Sequence, residues 1–332
     1  MQTLSKKEIE ELRKKIEPIK KLAMHDDADG ISSAVLLSYI FKINKVWAPE
    51  DFGEWSITPY KVEGQEQLEL PPDACVDMLP ANPKWVGLAF DHHPGHLPED
   101  QRSYQLIHGD VPTAVLIYSL FRDVIPKEQR WKVVVGAVGD GQPELIPPEI
   151  WREFPVLLEE TVTSWERYGK IETSNFPVYL RLSSGINAVC KLPAKWYLAY
   201  QSLRNAKTPW DLLNDSSLKQ AKEIIEQERS KVYRETSPIQ LRNGIRLWRF
   251  ESETKVERTV AWELWDKDKR TIVAINTTTG RGSIRGTLAT LVYEHLSSNG
   301  FKASGHAGFG GIRLKPGQTF EQVYECLANL KI

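Results

Sequence analysis

The chain has 332 residues, 41% of them hydrophobic and 26% charged, with a formal net charge of -1. Such a chain can bury a sizeable core in about two domains, which excludes a disordered or fibrous protein. The longest nearly uncharged apolar run, "AVLLSYIF" at 34–41, falls far short of the ~18 residues that suggest a membrane span. The Lys/Glu-rich start has no secretory apolar region, so the expectation is a cytoplasmic protein with no membrane contact.

Taken in chain order, "KKLAMHDDADG" reads as a short strand running into a polar loop, with Ser32 or Ser33 placed to cap the apolar helix that follows. "WSITPYKVE", "ACVDML" and "WVGLAFD" read as further strands, and "PTAVLIYSLFRDV" as a helix with Pro112 in its first turn. The run 133–138 fits a buried strand or a buried helix, because periodicity alone does not separate them. Residues 147–215 are a mixed, Trp-rich region. From Ser217 a capping-box pattern with Gln220 opens a connecting helix whose apolar positions fall on one face and which ends before Pro238. "GIRLWRFE", "RTVAWELWD" and "RTIVAINTT" then read as successive strands, "TLATLVYEHLSSNG" as a helix containing His295, the last helix of the chain, and "ASGHAGFGGIRL" as a glycine-rich segment. Strands alternating with helices in the first part predict a mostly parallel sheet flanked by helices, and the remainder predicts a smaller α+β domain.

Charge follows this division. Residues 237–332 carry 14 Lys/Arg against 9 Asp/Glu, a net +5, leaving -6 on residues 1–236. An acidic front half suits a metal-binding domain, and a mildly basic C-terminal module suits a phosphate-bearing substrate. Cys75, Cys190 and Cys326 stand far apart in no metal-ligand spacing and read as reduced thiols. Trp248, Trp262 and Trp265 lie in the C-terminal module, where aromatics at strand spacing are more often buried than stacked on a ligand.

Four stretches place acidic or imidazole groups directly after apolar segments: "MHDDADG", "CVDML", "FDHH" and "GAVGDG". In open α/β sheets the loops beyond the carboxyl ends of the strands converge on one crevice, which lets groups distant in sequence meet. The candidates are His25, Asp27, Asp29, Asp77, Asp91, His92, His93 and Asp140. Several close, desolvated carboxylates resist ionisation unless a cation neutralises them. Mixed Asp/His sets suit a divalent ion such as manganese better than structural zinc, and a pair of such ions clamping two oxygens is the apparatus of phosphoryl chemistry. Each stretch alone reads equally as a turn or a helix cap. His96 and His108 read as loop residues.

Together and in this order the motifs resemble the DHH phosphoesterase family, with "HDDADG", Asp77, "DHH" at 91–93 and Asp140 in "GDG" as its first four motifs. "GSIRG" and "SGHAGFGG" resemble segments of the DHH-associated C-terminal domain, so the resemblance runs from about residue 20 to 315. The H-x-D-x-D spacing is nearer the RecJ-like branch than the H-x-x-x-D-x-D of nanoRNases and family II pyrophosphatases. The glycine segment departs from the more usual GGGHxxAAG.

The resemblance implies a metal-binding catalytic domain over 1–190, a helical linker over 191–236 and a substrate-binding domain over 237–332. It implies two divalent ions, Mn²⁺ first and Mg²⁺ second, one held by His25, Asp27 and Asp77 and the other by Asp29, Asp77, His92 and Asp140. Asp91 would orient an imidazole, and His93 would act on the leaving oxygen or scissile phosphate. Arg285, with Arg281 sharing or exchanging its role, would take a substrate phosphate beside Gly305 and His306. The implied activity is an exonuclease or oligonucleotidase acting on single-stranded DNA or RNA. Hydrolysis of a small phosphoanhydride or cyclic dinucleotide is the alternative within the same fold, and a catalytically inert replication or repair scaffold is the third reading.

Overall fold

The computed structural model describes residues 19–43, 45–48, 72–80, 84–167 and 170–331, together with residues 7, 10 and 11. By its packing the chain divides into two compact units: Met1–Thr163 with Ser174–Cys190 and Ala194–Lys222, and Ser164–Thr173 with Lys191–Pro193 and Glu223–Ile332.

The first unit is built on a parallel sheet of five strands. These are β1 (Lys21–Met24), which leads into helix α1 (Ala28–Ile40), then β2 (Lys45–Trp47), β3 (Ala74–Val76), β4 (Leu88–Asp91) and β5 (Gln105–His108). Their order is β2-β1-β3-β4-β5, with every neighbouring pair parallel. The order reverses direction between β1 and β3, which creates a switch point at the carboxyl ends of those two strands. Helices α2 (Thr113–Phe121) and α3 (Val133–Gly139) pack with α1. Strands β1, β3 and β4 are almost wholly buried, as an all-parallel sheet requires.

Several elements differ from expectation. The α1 helix starts at Ala28, capped by Asp27, whose Oδ1 accepts from the backbone N–H of Asp29 (3.1 Å) and Gly30 (3.0 Å), so Ser32 and Ser33 are buried helix interior rather than caps. A carboxylate at the N-terminus satisfies orphan donors and complements the helix dipole better than a hydroxyl one turn later. The ambiguous run at 133–138 is helix. The strand Gln105–His108, whose polar residues hide its alternation, went unanticipated. The expected strand at 55–63 lies outside the described residues.

Beyond α3 come a two-stranded hairpin of β6 (Glu160–Arg167) and β7 (Lys170–Pro177), then helices α4 (Val178–Cys190), α5 (Trp196–Asn205) and α6 (Ser216–Glu235). The second unit carries a mixed sheet in the order β12-β13-β11-β10-β9-β8. Its elements are β8 (Ile239–Gln240), β9 (Arg246–Phe250), α7 (Glu257–Asp268), β10 (Ile272–Asn276), β11 (Arg281–Arg285), α8 (Ala289–Ser298), β12 (Lys302–His306), β13 (Phe309–Arg313) and α9 (Phe320–Ala328). Leu247, Val273, Ile275, Ile284, Val292 and Leu296 form the centre of its core.

The stretch "RTVAWELWD" is helix α7, not a strand. β9 and β10 pair in parallel, and a parallel pair needs a crossover that an intervening antiparallel strand cannot supply. Val260, Ala261 and Leu264 bury one helical face against that sheet. The glycine-rich segment is the β12–β13 hairpin, turning at Ala307 and Gly308 with φ +85° at the glycine. His295 belongs to α8, and α9 follows it. Among the described residues no helix is long and apolar enough to cross a membrane.

The close approach of α3 to α1 depends on Gly136. A Cβ there would lie 2.5 Å from Asp29 Oδ1 and 2.6 Å from Ala114 Cβ. Gly136→Ala is therefore expected to destabilise by the ~1–3 kcal/mol of an overpacked core, read as a lower urea midpoint at an unchanged slope. An unaltered midpoint would contradict this packing.

Candidate metal centre

The loops after β1, β3 and β4 bring the acidic and imidazole groups together at the switch point. His25 Nδ1 lies 2.7 Å from Asp27 Oδ2 and 3.5 Å from Asp77 Oδ2. His92 Nε2 lies 3.2 Å from Asp77 Oδ1, 3.1 Å from Asp140 Oδ2 and 4.0 Å from Asp29 Oδ2. Potential ligand atoms thus fall into three overlapping sets, His25 with Asp27 and Asp77, Asp29 with Asp77, His92 and Asp140, and Asp77 with His92 and His93, each with all its atoms within 4.8 Å of one another. Asp77 is common to all three.

Local structure aims each group. Asp27 divides its carboxylate: Oδ1 caps α1 and Oδ2 faces His25. Asp29, fully buried in the first turn of α1, accepts from the backbone N–H of Thr113 (2.7 Å) and Ala114 (3.0 Å). It therefore sits at the N-terminus of α2, where unpaired amides and the helix dipole favour an anion. Thr113 also donates its hydroxyl to Asp77 Oδ1 at 3.1 Å. Asp77 takes the left-handed backbone conformation, φ +58°, with its N–H bonded to Phe90 O on β4. Such strain costs roughly 1–3 kcal/mol and persists only where its surroundings enforce it. Asp140 closes the end of α3.

Asp91 does something different. Its Oδ1 meets His93 Nδ1 at 2.8 Å and accepts from the His92 N–H (2.8 Å), and its Oδ2 meets His96 Nε2 at 2.8 Å. His96 Nδ1 in turn lies 2.8 Å from the Tyr104 hydroxyl. Asp91 is fully buried, and it orients His93 and His96 rather than the imidazole of His92. Thr113, His96 and Tyr104 were missed by sequence reasoning. Thr113 follows a helix-starting proline, a recognisable signal, whereas nothing local marks His96 as the partner of Asp91.

Charge is unbalanced across the cluster. Burial, and then the Asp77, Asp140 and Asp27 charges, push the Asp29 carboxyl well above its ordinary range, and burial with Asp77 and Asp27 likewise raises Asp140 although His92 opposes it. Burial disfavours the charged His92, yet Asp140 and Asp77 outweigh it and push the imidazole up to about 11. His25 is raised in the same way against its own burial, by Asp27 and Asp77. Carboxylates that hold imidazoles cationic so strongly are short of positive charge. Asp77 Oδ2, His92 Nε2 and Asp140 Oδ2 are moreover buried with no hydrogen-bond partner of proper geometry among the described residues. Their close contacts are ligand atoms converging rather than donors meeting acceptors. This oxygen and imidazole set, free of thiolate, fits divalent ions such as Mn²⁺.

The second unit keeps its candidates on the mixed sheet. Arg281 and Arg285 open and close β11, and Gly305 and His306 lie on β12, with the Gly305 position so close to Phe309 O (2.3 Å) and Gly310 Cα (2.5 Å) that no Cβ fits. Arg285 is only 7% exposed, donates to Ile284 O at 2.7 Å, and has its guanidinium 5.4 Å from the Phe309 ring centroid. Among the described residues it has no carboxylate partner, and burial with the nearby Arg258 charge lowers it to about 10. Trp248 is buried, with Nε1 bonded to the Thr236 hydroxyl.

No family model matches the chain, and no curated protein does. Among solved structures, RecJ from Thermus thermophilus in complex with Mn²⁺ matches with a TM-score of 0.62 at 14% identity, over 96% of this chain and 53% of that one. The chain thus spans about half of that RecJ. The DHH domain of a member of a ribosomal-protein family matches with a TM-score of 0.59 at 13% identity, over 98% of this chain and 89% of that one. The chain has the fold of a DHH protein. CDC45 from Entamoeba histolytica is another neighbour, with a TM-score of 0.55 at 9% identity, over 98% of this chain and 99% of that one.

Within this fold the Asp91 network makes a pH prediction. Burial would raise the Asp91 carboxyl, but hydrogen bonds from His93 and His96 outweigh it and hold it well below the usual range. A depressed folded value gives stability that is full above the unfolded value near ~4 and is lost as pH falls below it. Urea midpoints of the wild type should therefore fall more steeply than those of Asp91→Asn between about pH 5 and pH 2. Equal acid losses would show that Asp91 carries no such linkage.

Proposed function

We propose that the protein is a metal-dependent phosphodiesterase that removes nucleotides from an end of single-stranded nucleic acid or short oligonucleotides. The observation that carries this reading is the cluster of overlapping ligand sets that all share one buried carboxylate, Asp77. His25, Asp27 and Asp77 would hold one divalent ion, and Asp29, Asp77, His92 and Asp140 the other. Bound there, the ions would supply the charge that activates a water and stabilises the transferring phosphate.

The remaining roles fall to the chain's own groups. Asp91 engages Nδ1 of His93, and this imidazole would give a proton to the leaving oxygen or stabilise charge on the phosphate. Asp91 positions that ring and is itself steadied by His96. In the second unit, the buried guanidinium of Arg285, lacking a carboxylate among the described residues, suits a terminal phosphate, since a charge-assisted pair would relieve its isolation. Arg281, Gly305 and His306 would border that contact. The net +5 carried by residues 237–332 favours a polyanionic nucleic acid over a small phosphate.

Incubation with Mn²⁺ and end-labelled DNA and RNA oligomers, beside a cyclic dinucleotide and pyrophosphate, tests the reading. Stepwise shortening from one end supports it. Cleavage of only the small phosphates would assign the site to the alternative chemistry, and no turnover of any of them would assign the fold to a scaffold. His93→Ala should retain Mn²⁺ binding in calorimetry and turn over ~10² to 10⁴-fold more slowly, whereas loss of metal would make His93 a ligand. Arg285→Ala should slow hydrolysis of phosphate-ended oligomers by the ~1.5–3 kcal/mol of a lost charged hydrogen bond and leave a nitrophenyl phosphate ester nearly unaffected. Equal loss on both would remove Arg285 from substrate binding.

A further inference from the structure

Helix α7 replaces an expected strand, and as a helix it brings different residues together. Positions 258, 262, 265 and 269 recur at spacings of four, three and four, so Arg258, Trp262, Trp265 and Lys269 share one face. An adjoining face, with Val260, Ala261 and Leu264, is the one buried on the sheet. Arg258 and Lys269 are exposed, and Trp262 is 54% exposed, a large aromatic surface for a helix otherwise anchored in a core. The Trp262 and Trp265 rings lie 5.1 Å apart at 51°, so Trp265 braces Trp262 from the side.

The helix end preserves this arrangement at a cost. Lys269 occupies the left-handed C-cap position, φ +58°, where glycine is the usual residue. There its ammonium lies 4.6 Å from the Trp265 ring centroid while pairing with Asp266 Oδ1 at 2.8 Å. At the other end of the face, the Arg258 charge lies close enough to depress the buried Arg285. One face of the helix thus carries Arg258, an exposed aromatic ring and a second cation. Its length from 258 to 269, at the helical rise, is about 16 Å.

We propose that this face of α7 is a stacking platform for a base of single-stranded nucleic acid, with Trp262 carrying the base and Arg258 and Lys269 meeting flanking phosphates. The proposal rests on the oligonucleotide reading above and deepens it. An exposed indole between cations matches a polyanion whose bases present flat π-faces, the combination that sequence-tolerant single-strand binders use. A protein partner would need a broader apolar surface than a single exposed ring flanked by charges.

Binding of fluorescently labelled, hydrolysis-resistant phosphorothioate oligonucleotides to the full-length, Mn²⁺-loaded protein, read by anisotropy, tests this. Trp262→Ala should bind an eight-nucleotide DNA or RNA roughly 5- to 150-fold more weakly, the range that one lost base–aromatic stack implies. Trp262→Phe should retain most of the affinity. Turnover of a nitrophenyl phosphate ester should be the same in all three proteins, since Trp262 lies outside the metal centre. Undiminished oligonucleotide affinity in Trp262→Ala, in a protein that still degrades oligonucleotides, would overturn the platform and leave the nuclease reading intact. A wild-type protein that turns over the small ester yet neither binds nor degrades oligonucleotides would instead overturn the substrate class and the platform with it. Self-association that Trp262→Ala abolishes, without an effect on oligonucleotide binding, would assign the face to a second copy of the chain and likewise overturn the proposal.

Discussion

Four carboxylates, Asp27, Asp29, Asp77 and Asp140, crowd the carboxyl ends of a buried parallel sheet, with the imidazoles of His25, His92 and His93 beside them as sources of positive charge among the described residues. Two unit charges ~4 Å apart at an effective dielectric near 20 interact by about 4 kcal/mol. A cluster of several therefore holds energies comparable with the whole net stability of a domain, about 5–15 kcal/mol. Asp29 and Asp140 respond by holding their protons more tightly, and His25 and His92 by holding theirs more tightly too. Both responses are protons standing where a cation would otherwise compensate the charge.

Much of the first unit serves to make that crowding bearable and fixed. The N-terminus of α1 takes one oxygen of Asp27, and the N-terminus of α2 takes both oxygens of Asp29. Two helix starts thus stabilise two of the carboxylates while leaving lone pairs directed into the cluster. Thr113 serves Asp29 through its amide and Asp77 through its hydroxyl, which couples two of the ligand sets through a residue that is itself no ligand. Gly136 lets α3 approach closely enough that Asp140 reaches His92. The left-handed turn at Asp77 is the strained element that this framework maintains.

Most of the centre was legible in sequence because its residues are local to strand ends. A strand's last residue and the next few positions are readable as a unit, which is why "HDDADG", Asp77 and "DHH" could be gathered from spacing and order, whereas Asp140 follows a helix, and its place in the motif order marked it. What could not be read was anything decided across the fold. His96 lies beyond Pro94 and Gly95, and only the return of the loop onto Asp91 and Tyr104 gives it a role. The "VVVGAV" run is apolar all round, so its helical form follows from packing between α1 and α4 rather than from a pattern. "RTVAWELWD" alternates well enough to mimic a strand, and only the parallel pairing of β9 with β10 forces it to be the crossover helix. That correction matters most for function, because it moves Trp262 from a presumed core position to an exposed face. Trp248, on a true strand, is buried as its spacing suggested.

The central claim is that the shared carboxylate of Asp77 joins two cation sites. Anomalous diffraction at the manganese edge from crystals soaked in Mn²⁺ measures this most directly. The account predicts two peaks per chain, one among His25, Asp27 and Asp77 and one among Asp29, Asp77, His92 and Asp140, about 3.5–4 Å apart as paired catalytic ions are. A single peak, a peak away from Asp77, or none at saturating Mn²⁺ would contradict it.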